Sequence, residues 1–221
     1  MALKIHMLTL GVVETNCYVV GDVDTKEAIV IDPADNAPRI LSVIERENWT
    51  VKEILATHSH FDHVLAAGDL KAATGAPFRL HRADLDQLHN LPAMTRAFIG
   101  MSAPPAPEPD GFVEEGNVIN VSGISLRVLF TPGHSAGHVS YVLHNDTDRV
   151  VFSGDCLFLG SIGRTDLPGG DYELLMTTVV EKLLPLGDEF TVAAGHMQTT
   201  TIGRERLSNP FIFDWMTAHG D

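Results

Sequence analysis

Cysteine is nearly missing from this chain: Cys17 and Cys156 are the only two in 221 residues. A disulfide-stapled scaffold is thereby excluded, and in a chain long enough to bury a full core both read as reduced thiols. Positive charge is scarce too, with 15 lysines and arginines against 29 acidic residues and a formal net charge of −14. That balance opposes attraction to phosphate backbones and anionic lipid, so neither nucleic acid nor a membrane is an expected partner. No long hydrophobic run occurs; stretches such as 28–31 and 150–152 fall far short of the roughly 20 residues that cross a bilayer. The opening Met1-Ala2-Leu3-Lys4-Ile5-His6 has neither the charged-then-apolar pattern of an export signal nor the arginine-rich character of a transit peptide, and the expected location is the cytoplasm.

With 44% hydrophobic and 20% charged residues, the composition is that of an ordinary globular protein. Residues 1–221 are expected to form one domain, acting as a monomer or small homo-oligomer. Short apolar runs rich in β-branched residues, at 4–10, 17–20, 28–31, 53–56, 125–130, 140–143, 150–152 and 190–193, predict strands. Amphipathic stretches at 37–47, 64–74, 171–184 and 200–208 predict helices, with Asp171 placed as an N-cap. Interleaved strands and helices argue for a layered α/β architecture, its first strands antiparallel across short turns such as Gly21-Asp22-Val23-Asp24. Residues 91–116 resist assignment: four prolines crowd 102–111, which predicts an exposed loop that is either a functional lid or a disordered insert.

The densest signal is Thr57-His58-Ser59-His60-Phe61-Asp62-His63. Three histidines and an aspartate at these offsets arise by chance in about two chains per thousand of this composition, so coincidence explains them poorly. His58 and His60, two apart on extended backbone, leave from one side. Ending the strand at 53–56, they sit at the carboxyl edge of a sheet, where α/β folds bind ligands. Asp62 and His63 come next, at the mouth of the following helix, so the loop could serve one ion or two. Imidazole and carboxylate donors suit zinc, iron or manganese better than calcium. Three later strands end alike: Thr131-Pro132-Gly133-His134, Ser153-Gly154-Asp155 and Ala194-Gly195-His196. Glycine before each ligand type lets backbone approach where a side chain would obstruct a metal site. Alone, His134, Asp155 or His196 would pass for an ordinary loop residue; together with the first cluster they become candidate ligands.

In order and approximate separation these motifs resemble the metallo-β-lactamase superfamily, and its glyoxalase II branch in particular. Thr15-Asn16-Cys17-Tyr18, Ile31-Asp32-Pro33, Gly163-Arg164-Thr165-Asp166-Leu167-Pro168-Gly169-Gly170-Asp171 and Thr200-Thr201-Ile202-Gly203 add to the resemblance, which covers nearly the whole chain. It implies a four-layer αββα sandwich, with two central mixed β-sheets and helices on the outer faces. It further implies that His58, His60 and His134 hold one divalent ion, that Asp62, His63 and His196 hold a second, and that Asp155 bridges them. Zinc is the expected metal, with iron or manganese as alternatives. The implied reaction is hydrolysis of a small thioester, such as S-lactoylglutathione or a related acyl-thiol, by a metal-bridging hydroxide that Asp62 orients. Arg164 is the candidate substrate contact, against a structural salt bridge to Asp166 or Asp171.

Full-length members of that branch carry a longer helical region with basic residues for the glutathione carboxylates, whereas here Asn209-Pro210 leads only into Phe211 to Asp221; the acyl and thiol groups are left open. Met197-Gln198 replaces a frequent Gly-Pro, which predicts a changed loop after His196. The nearest rival activity is a persulfide dioxygenase holding one iron through residues matching His58, His134 and Asp155. A β-lactamase, a nuclease and a non-catalytic metal-binding scaffold fit less well. His138 reads as a half-buried structural histidine or a neighbour of the ligands; His81, His89, His144 and His219 read as surface residues.

Overall fold

A computed structural model describes residues 2–219. Its first half runs β1 (Leu3–Leu10), β2 (Thr15–Asp22), β3 (Glu27–Ile31), α1 (Ala37–Glu47), β4 (Thr50–Leu55), α2 (Phe61–Val64), α3 (Ala67–Thr74), β5 (Phe78–Leu80), α4 (Leu85–His89), α5 (Leu91–Ile99) and β6 (Gly111–Phe112). Then come β7 (Val118–Val121), β8 (Ile124–Phe130), β9 (Val139–His144), β10 (Arg149–Gly154), β11 (Leu157–Phe158), β12 (Ser161–Ile162), α6 (Tyr172–Thr178), β13 (Thr191–Ala194), β14 (Thr200–Thr201), α7 (Ile202–Ser208) and α8 (Pro210–His219).

Two six-stranded sheets form, ordered β1-β2-β3-β4-β5-β6 and β14-β13-β10-β9-β8-β7. Both are mixed. In the first, β1, β2 and β3 pair antiparallel and β3 to β6 pair parallel. In the second, the β10–β13 pair is parallel and the others are antiparallel.

Alternation along the strands explains why the sheets stack. On β2, Cys17 and Val19 pack with α1 and α3 residues such as Ile40, Ile44 and Leu70, whereas Tyr18 and Val20 pack toward Leu126 and Val128 of the other sheet. On β10, Val151 faces Leu175 and Val179 under α6, whereas Phe152 faces inward. Strands buried on both faces read as continuous apolar runs. Three apolar layers therefore separate four structural layers, helix, sheet, sheet and helix, as the resemblance implied. Cys17 and Cys156 are free and lie in different outer layers. No helix among the described residues is long and apolar enough to cross a membrane.

Three expectations need correction. The stretch 64–74 is two helices, since Leu65 and Ala66 interrupt it. The stretch 171–184 begins as α6, capped by the Asp171 carboxylate on Leu174 N at 3.0 Å, but relaxes into a π-turn over Val179–Leu183. Residues 91–116 are not one exposed loop: α5 occupies Leu91–Ile99, β6 pairs with β5, and only 100–110 and 113–116 lie outside helix and strand. The helical signals were local. Pro92 sits at the start, where its missing N–H costs nothing. Leu91, Met94, Thr95, Phe98 and Ile99 recur at helical spacing. Gly100, at φ 68°, closes the last turn by donating to Arg96 O.

The inter-sheet layer is expected to carry much of the stability. Leu126→Ala, at a fully buried position between the sheets, should cost about 2–5 kcal/mol in chemical denaturation, whereas Val118→Ala at an exposed edge position should change it by under about 0.5 kcal/mol.

Candidate metal centre

Five candidate ligands lie in loops after the carboxyl ends of strands, and two lie on the short helix that follows the first of those loops. β4 delivers His58 and His60, α2 delivers Asp62 and His63, and β8, β10 and β13 deliver His134, Asp155 and His196. In the second sheet β8, β10 and β13 run the same way, so these loops emerge on one edge. All seven sequence-nominated residues converge.

They converge as two trios. His58 Nε2 lies 2.9 Å from His60 Nδ1, His134 Nε2 lies 2.8 Å from His60 Nδ1, and the two Nε2 atoms are 3.2 Å apart. In the second trio Asp62 Oδ2 is 3.3 Å from His196 Nε2 and 3.5 Å from His63 Nε2. Asp155 stands between: its Oδ1 is 3.4 Å from His63, and its Oδ2 is 3.4 Å from His196 and 3.6 Å from His134. His58, His63, His60, His134 and Asp155 are buried, and Asp62 and His196 are half-buried.

Charge sets His58 and His60 apart from His63 and His196. Burial, reinforced by neighbouring imidazoles, holds His58 far below the usual imidazole range and His60 down to about 3. Burial acts the same way on His63 and His196, but there the carboxylates outweigh it. Asp155, Asp62 and Asp32 raise His63 well above its ordinary value, and hydrogen bonds to Asp155 and Asp62 raise His196 to about 9. Against the burial penalty, His63 and His196 bring Asp62 down to about 2 and hold Asp155 well below the carboxylate range.

The donor set fits metal ions. His58, His60 and His134 turn ring nitrogens on one another at hydrogen-bond distance, and His58 and His60 are held neutral. His63 Nε2 and Asp155 Oδ1 are buried with no hydrogen-bond partner among the described residues. Such groups are costly in a dry site unless a cation satisfies them. Nitrogen and carboxylate donors without thiolate match zinc, iron or manganese. Cys156, beside Asp155, is excluded as a ligand by its place in the apolar layer, and burial raises its thiol pKa.

A second ring of contacts aims these donors. Asp32 accepts Thr57 N at 2.7 Å and Thr57 Oγ1 at 2.8 Å and lies 3.0 Å from His63 Nδ1, which orients that ring. Thr15 Oγ1 donates to Asp62 Oδ2 at 2.6 Å. Asn16 Nδ2 donates to Ala194 O and Met197 O, clamping the His196 loop. His134 Nδ1 lies 2.8 Å from Arg164 O. His138 is fully buried, its Nε2 receiving Asp155 N at 3.1 Å, so it supports a ligand without joining the set. His89, His144 and His219 are exposed and His81 is half-buried, all outside the centre. The Arg164 guanidinium makes a bidentate pair with Asp166, both bonds 2.7 Å, while its side chain borders the cleft.

Close approach requires glycine at two ligand-bearing turns. A Cβ on Gly195 would collide with Asp155 Oδ1, and one on Gly154, at φ 49°, with Thr57 Oγ1 and the His138 ring.

Asp84 was not foreseen. Buried at 1% exposure, it accepts Ser59 N at 2.9 Å, Ser135 Oγ at 2.9 Å and Gly137 N at 2.5 Å. It thereby ties the His58–His60 loop to the His134 loop. An acid 22 positions after Asp62, in an unremarkable His81-Arg82-Ala83-Asp84 turn, carried no local signal of that role. The cleft above the centre has a volume of about 200 Å³, floored by His60, Asp62, His134, Asp155 and His196 and roofed by Met94, Phe98 and Ile99 of α5.

These features define a metallo-hydrolase-type centre at the edge of an αββα sandwich. The chain belongs to the metallo-beta-lactamase superfamily, whose family model matches residues 10–196. Hydroxyacylglutathione hydrolase GloC of Haemophilus influenzae is 39% identical, over 95% of this chain and 98% of its own. The crystal structure of BLEG-1, a B3 metallo-beta-lactamase, superposes with a TM-score of 0.88 at 37% identity, covering 95% of this chain and 99% of that one. TTHA1623 in a di-iron-bound form superposes at 0.83 with 38% identity, covering 93% and 99%.

Two outcomes are expected. Asp84→Ala should weaken metal retention by roughly 10- to 100-fold in chelator competition, although the residue touches no candidate ligand side chain. Loading the second trio must displace protons from His63 and His196, whereas His58 and His60 hold none to displace near neutral pH. Titration calorimetry in buffers of different ionisation enthalpy should therefore show proton release for one class of site, whose affinity falls as pH is lowered from about 9; equal proton release at both classes would contradict the charge division.

Proposed function

We propose that the chain is a binuclear metal-dependent hydrolase, glyoxalase II-like, that cleaves a small thioester. Residues 1–221 would act as a single domain in the cytoplasm, as a monomer or small homo-oligomer. The observation that carries the proposal is the complete pair of donor trios, His58, His60 and His134 beside Asp62, His63 and His196, shared through Asp155 and opening on a cleft. Two divalent ions held there, zinc first and iron or manganese as alternatives, would supply the positive charge that acidifies a water and polarises a scissile carbonyl.

This chain's own residues do the rest. Asp62 lines the cleft and stays ionised, its pKa held at about 2. So low a value makes it a poor proton acceptor, so its part is to orient the attacking water. Thr15 fixes the carboxylate for that task. α5 shields the reacting carbonyl from bulk solvent, and a thiolate departs toward the cleft mouth. Arg164 reaches substrate only by leaving Asp166. The nucleophilic side chains flanking the Asp155 turn do not compete: Cys156 and Ser153 are fully buried, and Ser153 donates to Leu157 O.

Thioester chemistry draws support from the 39% identity to a hydroxyacylglutathione hydrolase. A single-iron persulfide dioxygenase needs only the His58, His134 and Asp155 positions. The second trio, with its own supports from Thr15, Asp32 and Asn16, favours the binuclear hydrolase. The B3 β-lactamase relative makes β-lactam cleavage the other activity to test.

Purified protein loaded separately with zinc, iron and manganese should hydrolyse acyl-thiols, and His58→Ala or Asp155→Ala should lower turnover by at least about 1,000-fold with loss of bound metal. Oxygen consumption with glutathione persulfide at one iron per chain, or β-lactam hydrolysis outpacing every thioester, would overturn the assignment.

A further inference from the structure

Large exposed hydrophobic side chains gather around the mouth of the metal centre. Val12 and Val13 project from the β1–β2 turn, Phe98 and Met101 lie on and just after α5, and Met197 comes directly after His196, each at least 40% exposed. Single exposed hydrophobics are ordinary, but a contiguous set at the rim of a cleft marks a ligand surface. Phe98 stacks on Phe61 with ring centroids 5.8 Å apart, which makes its position part of the cleft wall.

From Asp62 a second hollow of about 230 Å³ runs beneath Val12, Val13 and Phe61 toward Met101 and Pro104. Its charged lining is entirely negative: Asp35 and Asp69 join Asp62, and no lysine, arginine or histidine among the described residues borders it. In the adjoining cleft the one cationic side chain among the described residues, apart from the candidate ligands, is Arg164, already engaged at both carboxylate oxygens of Asp166. Glutathione carries two carboxylates against one ammonium, and its net negative charge would lie beside Asp35 and Asp69, where the described lining offers no cation to receive the second carboxylate. Like charges at short range oppose binding, and uncompensated desolvation adds to that cost.

We infer that this hollow receives an apolar, uncharged arm of several carbons on the substrate, and that it discriminates against dicarboxylate thiols. The inference rests on the thioester proposal and narrows it. Val13, Phe61 and Met101 line the hollow and Phe98, in the adjoining cleft wall, holds Phe61 in place by stacking; these are the specificity-determining side chains, and Asp35 and Asp69 set the charge preference. The shared chemistry is the apolar arm, which could stand on the acyl or the thiol side of the scissile bond.

The test is a set of thioesters turned over by the metal-loaded enzyme: acetyl and octanoyl groups, each on N-acetylcysteamine and on glutathione, together with S-acetyl-octanethiol. An eight-carbon arm, offered as octanoyl-N-acetylcysteamine or as S-acetyl-octanethiol, should in one of the two exceed acetyl-N-acetylcysteamine in kcat/KM by at least about tenfold, given roughly three- to fourfold per buried methylene. At equal acyl chain, N-acetylcysteamine should exceed glutathione. A high rate for S-acetyl-octanethiol would place the arm on the thiol side, a low one on the acyl side. Phe98→Ala should erase most of the chain-length advantage, and Asp69→Lys should raise kcat/KM for the glutathione esters alone. Equal rates for acetyl and octanoyl esters together with a low rate for S-acetyl-octanethiol, or preference for glutathione at equal chain length, would overturn the inference while leaving thioester hydrolysis intact. Calorimetry with the uncleavable thioethers S-ethyl- and S-octyl-N-acetylcysteamine separates the two ideas from the other side. Tighter binding of the octyl compound, lost in Phe98→Ala, would uphold the hollow even if no thioester were cleaved, and equal binding of the two would refute it.

Discussion

Five imidazoles and two carboxylates pressed together under the surface form the constraint around which this protein is built. In water such groups would separate or protonate; here burial strips protons from His58 and His60, while carboxylates force them onto His63 and His196. The resulting collection of facing lone pairs and orphaned polar atoms is satisfied by cations and by little else. Holding it in place before a cation arrives requires a rigid frame, and much of the polar chemistry near the centre serves that end.

The frame draws its rigidity from the apolar layer between the two sheets. Tyr18 and Tyr141 are buried in that layer, yet their hydroxyls donate to Ala194 O at 2.7 Å and Ala56 O at 2.8 Å. Those carbonyls lie two residues before His196 and His58. Inter-sheet packing is thereby linked directly to the turns that carry ligands from both sheets. Asp32 and Asp84 do the equivalent work in polar terms, each accepting backbone and hydroxyl donors so that the loops between strand end and ligand have little freedom left.

Above the centre, α5 and the β1–β2 turn supply what the ligand set lacks, a wall that distinguishes substrates. Metal ligands specify that a polarised bond can be attacked; they say little about what is attached to it. The apolar lip and the negative lining are built from residues outside the ligand motifs, which allows one ligand set to serve different substrates by changing the wall.

The candidate metal centre was legible in the chain because its donor residues obey local rules. His58, His60, Asp62 and His63 are nearly contiguous, and each later ligand comes after an apolar strand and a glycine, so periodicity and punctuation sufficed. Strands β1 to β4, β8 to β10 and β13 were legible for the same reason: burial on one or both faces writes itself into composition. α5 escaped because the prolines after it overshadowed a valid Pro92 start, a Gly100 stop and helical spacing between. The short strands β5 to β7 carry too few residues to show a period. The Arg164–Asp166 pair was one of the two readings that the sequence offered for Arg164, whereas Asp84 and the protonation contrast of His58 and His60 with His63 and His196 had no local trace. Each depends on how groups meet in three dimensions, the buried ones from segments tens of residues apart, and a linear chain does not state which groups will be buried together. Donor chemistry comes from residue type and spacing alone; protonation, aim and substrate choice come from neighbours that only folding supplies.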